Sequence, residues 1–392
     1  MPSIPPILII GVNPIVKIVV PLLRAFGFQI VHLWSPHRLT SDIISLCKDT
    51  LNIDSYFCSL ASLDQLLNNA TQPYLIFICT ETDQHLPLMK RITSTSIIKP
   101  CNHHVICMPP FNVDPKSLIS IQQIQQQLCC YCYPIGFLPT FTKLKRYIYD
   151  EQTNIGRNKF HLKKKSFLFL INFISFFFCF CFFLGDIQSI EFRIRCCSLK
   201  SCSDDRINSS LLNRFGSFAL FILFYLFGTQ NLSTISHAYI QSPNETTCSF
   251  HINYNRSIRL PPIFVNIISN SHISSTYNQE LIIIASKCAL IVNDYRLVLR
   301  RFNFDDQILI DSFHSDTNEK FSQFSYENPE IPLIFIQSFY YFIGHLKESL
   351  INQIPRSTFT ELTSFEIVYK VQEAIVAIRE AARTGEIVPI VR

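Results

Sequence analysis

The stretch that most constrains the fold lies near the amino terminus, from Pro6 to Arg38. It begins with an unbroken apolar run, Ile7 to Ile10, which is typical of a parallel strand buried on both faces. Gly11 ends this strand, and the apolar residues that follow recur at helical spacing as far as Gly27, a helix stop. A second apolar run, Gln29 to Trp34, comes next. The stretch therefore predicts a strand, a glycine turn, a helix and a second strand.

Such a turn is the usual place for a bound pyrophosphate. The free N–H groups and the positive end of the helix dipole meet there. The usual fingerprint is G-x-G-x-x-G, and Gly11, Asn13 and Val16 occupy its glycine positions. Asn13 tolerates a left-handed backbone but adds bulk where a pyrophosphate would approach, and Val16 crowds the helix against the strand. Two interpretations stay open: a nucleotide-binding turn, or a plain strand and helix of an α/β core.

The end of the second strand bears on the choice of nucleotide. Arg38 follows this strand, where a basic residue can meet a 2′-phosphate and an acidic one would bind the free ribose of NAD. Ser35 and His37 are its neighbours, and no carboxylate stands at the strand tip. This pattern slightly favours NADP over NAD. A solvated loop arginine is the alternative interpretation of Arg38.

The first half of the chain alternates strands with helices. Tyr56 to Cys58, Pro73 to Cys79 and His104 to Cys107 are short apolar runs typical of buried strands. Thr80 to His85 is predicted as a loop that opens a helix through Ile92. The alternation predicts a doubly wound parallel sheet of the α/β class. The other elements predicted in this half are helices at Ser41–Cys47, Leu60–Leu67, Lys116–Gln127 and Pro139–Tyr149 and a strand at Cys129–Tyr133.

A run of strands in the second half predicts an α+β domain with a mainly antiparallel open sheet. Asn213 to Phe227 is a strongly apolar helix within this run. Ser364 to Thr384 has the clearest amphipathic spacing in the chain and is followed by Gly385. The predicted strands are Ile187–Cys197, Thr247–Tyr254, Ile263–Ile268, Glu280–Ile284, Ala289–Asn293 and Arg296–Arg301, and a further helix covers Ile334–Leu350.

Charge and cysteine content argue against several classes of function. The net charge of +5 is small for 392 residues and the one basic run is Lys163 to Lys165, so no nucleic-acid partner is predicted. The 15 cysteines have no regular spacing, which indicates a reducing compartment rather than a disulfide framework. Cys129 and Cys132 form a C-x-x-C without a second pair, and no metal site is predicted. Because the amino terminus lacks the basic start of a signal peptide, we expect a cytosolic protein.

One segment conflicts with a cytosolic location. Residues 166–184 are a nearly continuous apolar run behind a basic flank, as in a transmembrane helix. The run consists almost entirely of Phe, Leu, Ile, Ser, Cys and Asn. Pyrimidine-rich codons encode much of this composition, so the run also resembles the translated end of an intron. A membrane span, a translated intron and a buried helix therefore all remain open.

Several motifs together resemble a known family of oxidoreductases. In chain order they are ILIIGVNPIVKIVVPLLRAFGF, VHLWSPHR, FLPTFTKLKRYI, NRFGSFALFILFYLFG and VYKVQEAIVAIREAARTGEIVPI. The chain resembles the Gfo/Idh/MocA oxidoreductases and, within them, the animal glucose-fructose oxidoreductase domain-containing proteins. The resemblance implies an N-terminal Rossmann domain that binds NAD(P). It also implies a C-terminal domain whose open sheet carries substrate and subunit contacts, and hence a homodimer.

The resemblance completes the candidate cofactor site, because it places His85 near the cofactor. Together with the glycine turn and the strand ends, the candidate cofactor-binding residues are Gly11, Val12, Asn13, Pro14, Ser35, Arg38, Thr80 and His85.

The catalytic positions that the family implies are filled by other residues. Met108 and Pro109 stand at the Glu and Lys of an E-K-P motif, whose Lys lies beside the nicotinamide and the substrate. Asn213 stands at the position of an acid/base His, and Phe221 at that of an inward-facing Asp. Oxidation of an alcohol needs a group that takes the hydroxyl proton near neutral pH, which neither Asn nor Phe can do. No catalytic residue is therefore assigned.

The resemblance also bears on the apolar run. In the family, a G-x-I-G segment leads directly into the first strand of the second domain, and joining Gly156 to Asp186 restores that junction. Residues 157–185 are thus interpreted as an insertion at one point, with a translated intron favoured over an inserted anchor or a buried helix. The predicted domains are a Rossmann-like domain at 1–130, a connecting strand and helix at 131–156, the insertion at 157–185 and an α+β domain at 186–392.

Three hypotheses of function follow. The leading one is a binding or scaffold protein that binds NAD(P) weakly or not at all and lacks dehydrogenase activity. The second is an NADP-dependent oxidoreductase acting on a sugar or a diol, with Asp83, His85 or Tyr133 as a replacement acid/base. The third is a membrane-anchored binding protein that uses residues 166–184 as its anchor.

Overall fold

The computed structural model describes residues 4–12, 15–36, 53, 55–80, 82–98, 103–108, 129–149, 186–197, 210–241, 246–255, 260–270, 277–294, 296–301, 305–311, 333–352 and 357–390. The predicted helices at Ser41–Cys47 and Lys116–Gln127, and the apolar run at 166–184, lie outside these ranges. Within the described ranges, no helix combines the length and the apolar character that crossing a membrane requires.

The first sheet is parallel throughout its described pairings. Its order, β3-β2-β1-β4-β5-β6, runs outward in both directions from the centre, which confirms the predicted doubly wound sheet. β1 and β4 lie at the centre, and all of their residues are buried, as their unbroken apolar sequences require. The strands are β1 (Ile7–Ile10), β2 (Ile30–Trp34), β3 (Tyr56–Phe57), β4 (Leu75–Ile78), β5 (His104–Cys107) and β6 (Cys129–Tyr131).

Helices follow the strands of this sheet. α1 (Val16–Ala25) buries the apolar face that its spacing predicts. α2 (Leu60–Asn68) begins with a capping box, in which the Ser59 hydroxyl accepts from the Ser62 N–H at 3.0 Å. The Ser62 hydroxyl in turn accepts from the Ser59 N–H at 3.2 Å, so two unpaired donors of the first turn are satisfied. α3 spans Thr82–Ile98.

The second sheet has the order β14-β13-β12-β11-β7-β10-β9-β8-β15. β7 and β10 pair in parallel, and the other described pairings are antiparallel, which confirms the predicted mainly antiparallel sheet. Buried residues alternate with partly exposed ones along β9 and β11, so one face of the sheet forms a core. The strands are β7 (Ile187–Cys197), β8 (Leu232–Ile240), β9 (Thr247–Tyr254), β10 (Ile263–Asn270), β11 (Asn278–Ala285), β12 (Cys288–Asn293), β13 (Arg296–Arg301), β14 (Gln307–Asp311) and β15 (Val388–Pro389).

The most apolar of the described helices belongs to the same unit as the second sheet. α5 (Ser217–Phe227) is buried along nearly its whole length, as expected of a helix that is hydrophobic all round. Lys145, on α4 (Pro139–Tyr149), holds its ammonium 3.9 Å from the centre of the Tyr225 ring, a cation–π contact between the two helices. The remaining helices are α6 (Leu333–Asn352), α7 (Ser357–Leu362) and α8 (Phe365–Thr384).

The chain divides into two compact units. The first consists of Met1–Ile135 and Phe335–Gln372, and the second of Gly136–Ile334 and Glu373–Arg392. The domain boundaries that the sequence suggests at 130, 156 and 186 stay a prediction.

Several elements have the predicted bounds, among them β5, β7, β9, β13 and α4. The loop predicted at Thr80–His85 is wrong, because α3 begins at Thr82 and includes His85. Asp83 favours this early start, since an acidic residue in the first turn interacts with the helix dipole. Strands β8 and β14 were not predicted at all.

Candidate functional site

The carboxyl ends of the parallel strands bring the candidates of the first unit to one edge of the sheet. Gly11 follows β1, Ser35 follows β2 and is completely buried, and Thr80 lies two residues beyond β4. The Gly11 N–H donates to the carbonyl of Trp34, the residue before Ser35, at 2.7 Å. Doubly wound folds bind their ligands at this edge of the sheet. Three of the predicted cofactor-binding residues lie outside the described ranges: Asn13, Pro14 and Arg38.

Gly11 is required by the backbone around it. Its φ is +109°, which side chains of L-residues rarely adopt, and a Cβ built on it would lie 2.3 Å from the Cys79 carbonyl oxygen and 2.7 Å from the Thr80 nitrogen. The turn after β1 thus passes directly against the backbone that follows β4. The need for glycine at this position comes from that close approach within the fold.

The start of α1 has features of an anion-binding helix end. Ile15 is the N-cap residue, no side chain of the described residues caps the helix, and the first turn holds no acidic residue. A helix start places its first N–H groups beside the turn after β1, which is the arrangement at helix ends that bind phosphate. Val12, in the turn, is half-buried. Val16 is completely buried and occupies the position where the fingerprint has its third glycine.

Thr80 and His85 form a hydrogen-bonded pair at the end of β4. A ring nitrogen of His85, Nε2, lies 3.0 Å from the Thr80 carbonyl oxygen, and the imidazole is 1% exposed. Because a carbonyl only accepts, Nε2 carries the proton in this tautomer. The Thr80 hydroxyl is also buried, and Oγ1 has no hydrogen-bond partner among the described residues. A buried hydroxyl of this kind fits a polar ligand that completes its hydrogen bonding.

Burial sets the protonation state of His85. Loss of solvent lowers the pKa of the imidazole to about 4, although the Thr80 carbonyl and the charge of Asp83 partly oppose the shift. His85 is therefore neutral at pH 7 and accepts a proton only as the pH approaches 4. Of the other proposed replacement acid/bases, Tyr133 is completely buried, whereas Asp83 is exposed.

Met108 follows β5 at the same edge of the sheet. Its N–H donates to the Ile78 carbonyl at 3.0 Å, and its side chain is 1% exposed. A thioether carries no proton that it could exchange near neutral pH, so the residue at this position contributes packing and no acid/base chemistry. Pro109 lies outside the described ranges.

Asn213 lies in a π-helical turn, Leu212–Gly216, that leads into α5. In this turn the Ser217 N–H donates to the Leu212 carbonyl, five residues back, and so does not bond the Asn213 carbonyl as it would in an α-helix. The Ser217 hydroxyl takes that role and donates to the Asn213 carbonyl at 2.6 Å. Gly216 fits the tightened turn, because a Cβ built there would lie 2.6 Å from a Leu212 methyl group.

The Asn213 side chain is held in place by a cation. Arg379 Nη2, on α8, donates to Asn213 Oδ1 at 2.9 Å and lies 3.3 Å from the Ser210 hydroxyl. Ser210 also accepts from the Asn213 N–H at 3.1 Å and thereby caps the segment. Phe221, one turn after Ser217, is completely buried. Asn213 and Phe221 provide hydrogen bonding and packing at these positions and no titratable group.

Sequence reasoning did not identify Arg379 as a functional candidate. It comes directly after Ile378 on the apolar face of α8, and a cation beside such a face is a signal that could have found it. The π-turn has no comparable signal, since one extra residue per turn hardly alters apolar periodicity over so short a segment. Among the described residues, no three His, Cys, Asp or Glu side chains are grouped as metal ligands would be.

No protein-family model and no curated protein matches the chain. Solved structures do match it. An oxidoreductase from Agrobacterium radiobacter, in complex with NAD+, L-tartaric acid and magnesium, matches with a TM-score of 0.67 at 13% identity, over 98% of this chain and 97% of that chain. The WlbA dehydrogenase from Bordetella pertussis, in complex with NADH and UDP-GlcNAcA, matches with a TM-score of 0.65 at 11% identity, over 99% and 98%.

A third match is a super-repressor mutant of Gal80p from Saccharomyces cerevisiae, with a TM-score of 0.68 at 13% identity, over 98% of each chain. These matches cover the parallel sheet and the mainly antiparallel sheet together. The chain has the Gfo/Idh/MocA fold. The predicted combination of a Rossmann domain and an α+β domain is thus confirmed. At identities this low, the matches show the fold alone. The resemblance to the animal glucose-fructose oxidoreductase domain-containing proteins stays a prediction.

Proposed function

We propose that this protein of the Gfo/Idh/MocA fold binds a nicotinamide nucleotide weakly and does not transfer hydride from an alcohol. Two of its structural neighbours are complexes with NAD+ or NADH, which supports a nucleotide at the equivalent sheet edge. The helix start that follows Gly11 and the buried Thr80 hydroxyl fit such a ligand. Val16 in place of a glycine weakens the site, because it limits how closely helix and strand approach.

The residues that would hold the nucleotide are the predicted ones at this edge. Gly11, Val12 and the N–H groups of α1 would meet the pyrophosphate, with Asn13 and Pro14 in the same turn. Arg38 would meet a 2′-phosphate, so NADP is the preferred form. The remaining candidates, at the ends of β2 and β4, are Ser35, Thr80 and His85. When bound, the nucleotide supplies a hydride acceptor or donor.

The residues at the positions of the family's catalytic Lys and His carry the second half of the proposal. The resemblance implies a Lys beside the nicotinamide at Pro109, a Glu at Met108 and an acid/base His at Asn213, and none of the three residues present titrates near pH 7. His85 stays neutral with a pKa of about 4. The match to a protein described as a super-repressor supports a role in binding rather than in catalysis.

Nucleotide titration tests the binding half. We expect NADPH and NADH to bind with dissociation constants in the high-micromolar range, NADPH the more tightly, as measured by nucleotide fluorescence. Thr80→Val should weaken binding without loss of fold. Thr140→Val is the matched control, because the Thr140 hydroxyl is also buried and unpartnered among the described residues but lies on α4, in the other unit. Equal effects of the two variants would contradict the assignment of the site.

A turnover assay tests the catalytic half. With NADP+ or NAD+ in excess, we expect no reduction of the nucleotide above background. The alcohols to test are myo-inositol, D-glucose, L-tartrate and simple diols. Tight binding with measurable turnover would overturn the proposal and favour an oxidoreductase with a replacement acid/base. Asp83→Asn would then be the first variant to test, because Asp83 is the exposed carboxylate in the first turn of α3.

A homodimer through the second sheet is the assembly that we propose. On the face opposite the buried residues, Ile282, Ile291 and Val298 are half-buried and form one row across β11, β12 and β13. Arg193 on the same face forms ion pairs with Glu191 and Glu280, with nitrogen–oxygen distances of 2.6 Å and 3.5 Å. A second copy of the chain can complement this pattern of charges. Light scattering should report a dimer for the native chain and a monomer for Ile282→Glu. The control, Val376→Glu on the exposed side of α8, should remain dimeric.

A further inference from the structure

One polar cluster of the second unit remains without a role in nucleotide binding. It consists of Arg379 on α8, Asn213 in the π-turn and the capping residue Ser210, joined by the two hydrogen bonds from Arg379 Nη2. π-Helical turns of this kind occur frequently at functional sites.

The orientation of the Asn213 amide is fixed by chemistry. A guanidinium only donates hydrogen bonds, so the amide atom 2.9 Å from Arg379 must be the oxygen. The amide nitrogen, Nδ2, then belongs to a side chain that is 1% exposed, and it has no hydrogen-bond partner among the described residues. An unsatisfied buried donor is costly, and native proteins rarely retain one without a ligand or a water to satisfy it.

The charge of Arg379 has no neutralising partner either. Arg383, one turn further along α8, pairs with Glu380, with 3.1 Å between Arg383 Nε and Glu380 Oε2. Arg379 is half-buried, and within the described ranges no carboxylate lies within ion-pair distance of it. A partly desolvated cation is stabilised by an anion. A cation and an adjacent unsatisfied N–H donor thus both call for an acceptor with negative charge.

We propose that Arg379 and the Asn213 amide bind the carboxylate of a small polyhydroxy acid, such as a sugar acid. The proposal goes beyond the proposed function, because it adds a second ligand whose site lies in the second unit. A carboxylate matches the cluster because one guanidinium neutralises a single negative charge and offers a planar set of donors. A neutral polyol would leave the cation unpaired, and a phosphate dianion would leave one charge uncompensated.

Isothermal titration of the full chain with a matched pair of probes tests this proposal. D-glucuronate and D-glucose have the same ring and differ in the carboxylate. We expect glucuronate to bind at least about tenfold more tightly than glucose, because a hydrogen bond to a charged group contributes the equivalent of a tenfold to hundredfold change in affinity. Arg379→Gln should remove the preference. Arg383→Gln, which alters an exposed arginine of the same helix, should retain it.

The opposite results overturn the proposal. Equal affinities for the two sugars, an unchanged preference in Arg379→Gln, or tighter binding of inorganic phosphate than of glucuronate would each do so. If Arg379→Gln fails to fold, Arg379→Lys keeps the positive charge and should keep a reduced preference for glucuronate. Loss of the preference in a folded Arg379→Lys variant would count against the carboxylate site.

Failure of this site and failure of the proposed function give different results. Nucleotide titration of Arg379→Gln should match that of the native chain, because the cluster lies in the second unit and Gly11 and Thr80 lie in the first. A native chain that prefers glucuronate but binds no nucleotide contradicts the proposed function and supports the carboxylate site. A chain that binds nucleotide but does not distinguish the two sugars contradicts the carboxylate site alone.

Discussion

At the scale of single residues, Gly11 is the position most sensitive to substitution. Gly11→Ala would place a methyl group 2.3 Å from the Cys79 carbonyl oxygen, in a backbone conformation that alanine disfavours. Because the atoms it meets belong to the backbone beyond a central strand, they cannot move aside cheaply. We expect the free energy of unfolding to fall by at least about 3 kcal/mol, as measured by urea denaturation.

Gly27→Ala separates the two causes of that loss. Gly27 also has a positive φ, of +80°, but the nearest atom to a built Cβ is the Lys347 Nζ at 3.9 Å. Its substitution should therefore cost only the backbone strain, about 1 kcal/mol. Equal losses at the two glycines would show that contact with the β4 backbone is not what requires Gly11.

His85 makes stability depend on pH. Its pKa is about 4 in the folded chain and 6.5 in the unfolded one, so between these pH values the unfolded chain binds a proton that the folded chain does not. Stability should therefore be unaffected by this group above pH 6.5 and fall as the pH is lowered, by roughly 3 kcal/mol at pH 4. Urea denaturation from pH 8 to pH 4 measures the slope.

His85→Gln tests whether His85 causes this dependence of stability on pH. Glutamine can still donate to the Thr80 carbonyl but does not titrate, so part of the acid dependence should disappear. Burial also lowers the pKa of four other described histidines, which should keep the rest of the slope: His32, His103, His104 and His251. A variant with the native pH profile would show that His85 is not buried as a neutral group.

At the scale of elements, the π-turn depends on the Ser217 hydroxyl. In Ser217→Ala the Asn213 carbonyl loses its 2.6 Å hydrogen bond, and its usual backbone donor is engaged with Leu212. Loss of this hydrogen bond should lower the free energy of unfolding by about 1 kcal/mol. Ser349→Ala on α6 is the control, because there the hydroxyl donates to the His345 carbonyl at 2.8 Å within a regular helix. That variant should lower the free energy of unfolding by less than about 0.5 kcal/mol, since the backbone N–H still bonds the carbonyl. A loss of stability as large as that of Ser217→Ala would contradict the role of the π-turn.

Elements were predicted correctly where the spacing of apolar residues keeps one period along the whole element. They were missed where that period changes. β9 alternates buried and partly exposed residues along its whole length, and its predicted bounds agree with the structure. β8 was missed because its register shifts between Ser236 and Tyr239, where His237 has a φ of +49°. A bulge of this kind moves the following side chains to the other face and interrupts the period of two.

Site positions were predictable where a strand end fixes them. Gly11, Ser35 and Thr80 meet at one edge because parallel strands end together, which the apolar runs already imply. The contact of Arg379 with Asn213 could not be predicted, since it joins residues far apart in the chain through a turn whose extra residue leaves no sequence pattern. The side-chain environment that sets the pKa of His85 likewise depends on tertiary packing.

At the scale of the whole molecule, residues 157–185 are the part that we propose to be dispensable. β7 begins at Ile187 and forms its pairings with β10 and β11 after this segment. A chain that joins Gly156 to Asp186 should fold with an unchanged second sheet and a melting temperature no lower than that of the full chain. Circular dichroism and thermal unfolding check this, and loss of β-sheet signal would show that the segment belongs to the fold.

Transcript sequencing addresses the origin of the segment. If residues 157–185 are a translated intron, cDNA across this junction should be dominated by a form that lacks these codons. A dominant transcript that encodes the whole segment, with the protein recovered in the membrane fraction, would favour an inserted anchor and leave the membrane hypothesis standing.

The contact between Gly11 and the backbone after β4 has a consequence for how such chains evolve. Because the glycine is needed for two strands to end side by side, purifying selection for folding alone would keep it after nucleotide binding had ceased to matter. At the second and third glycine positions of the fingerprint the chain has Asn13 and Val16. A glycine at this position alone therefore indicates the fold and not the cofactor, and a gene-finding motif built on it would also select chains that bind no nucleotide.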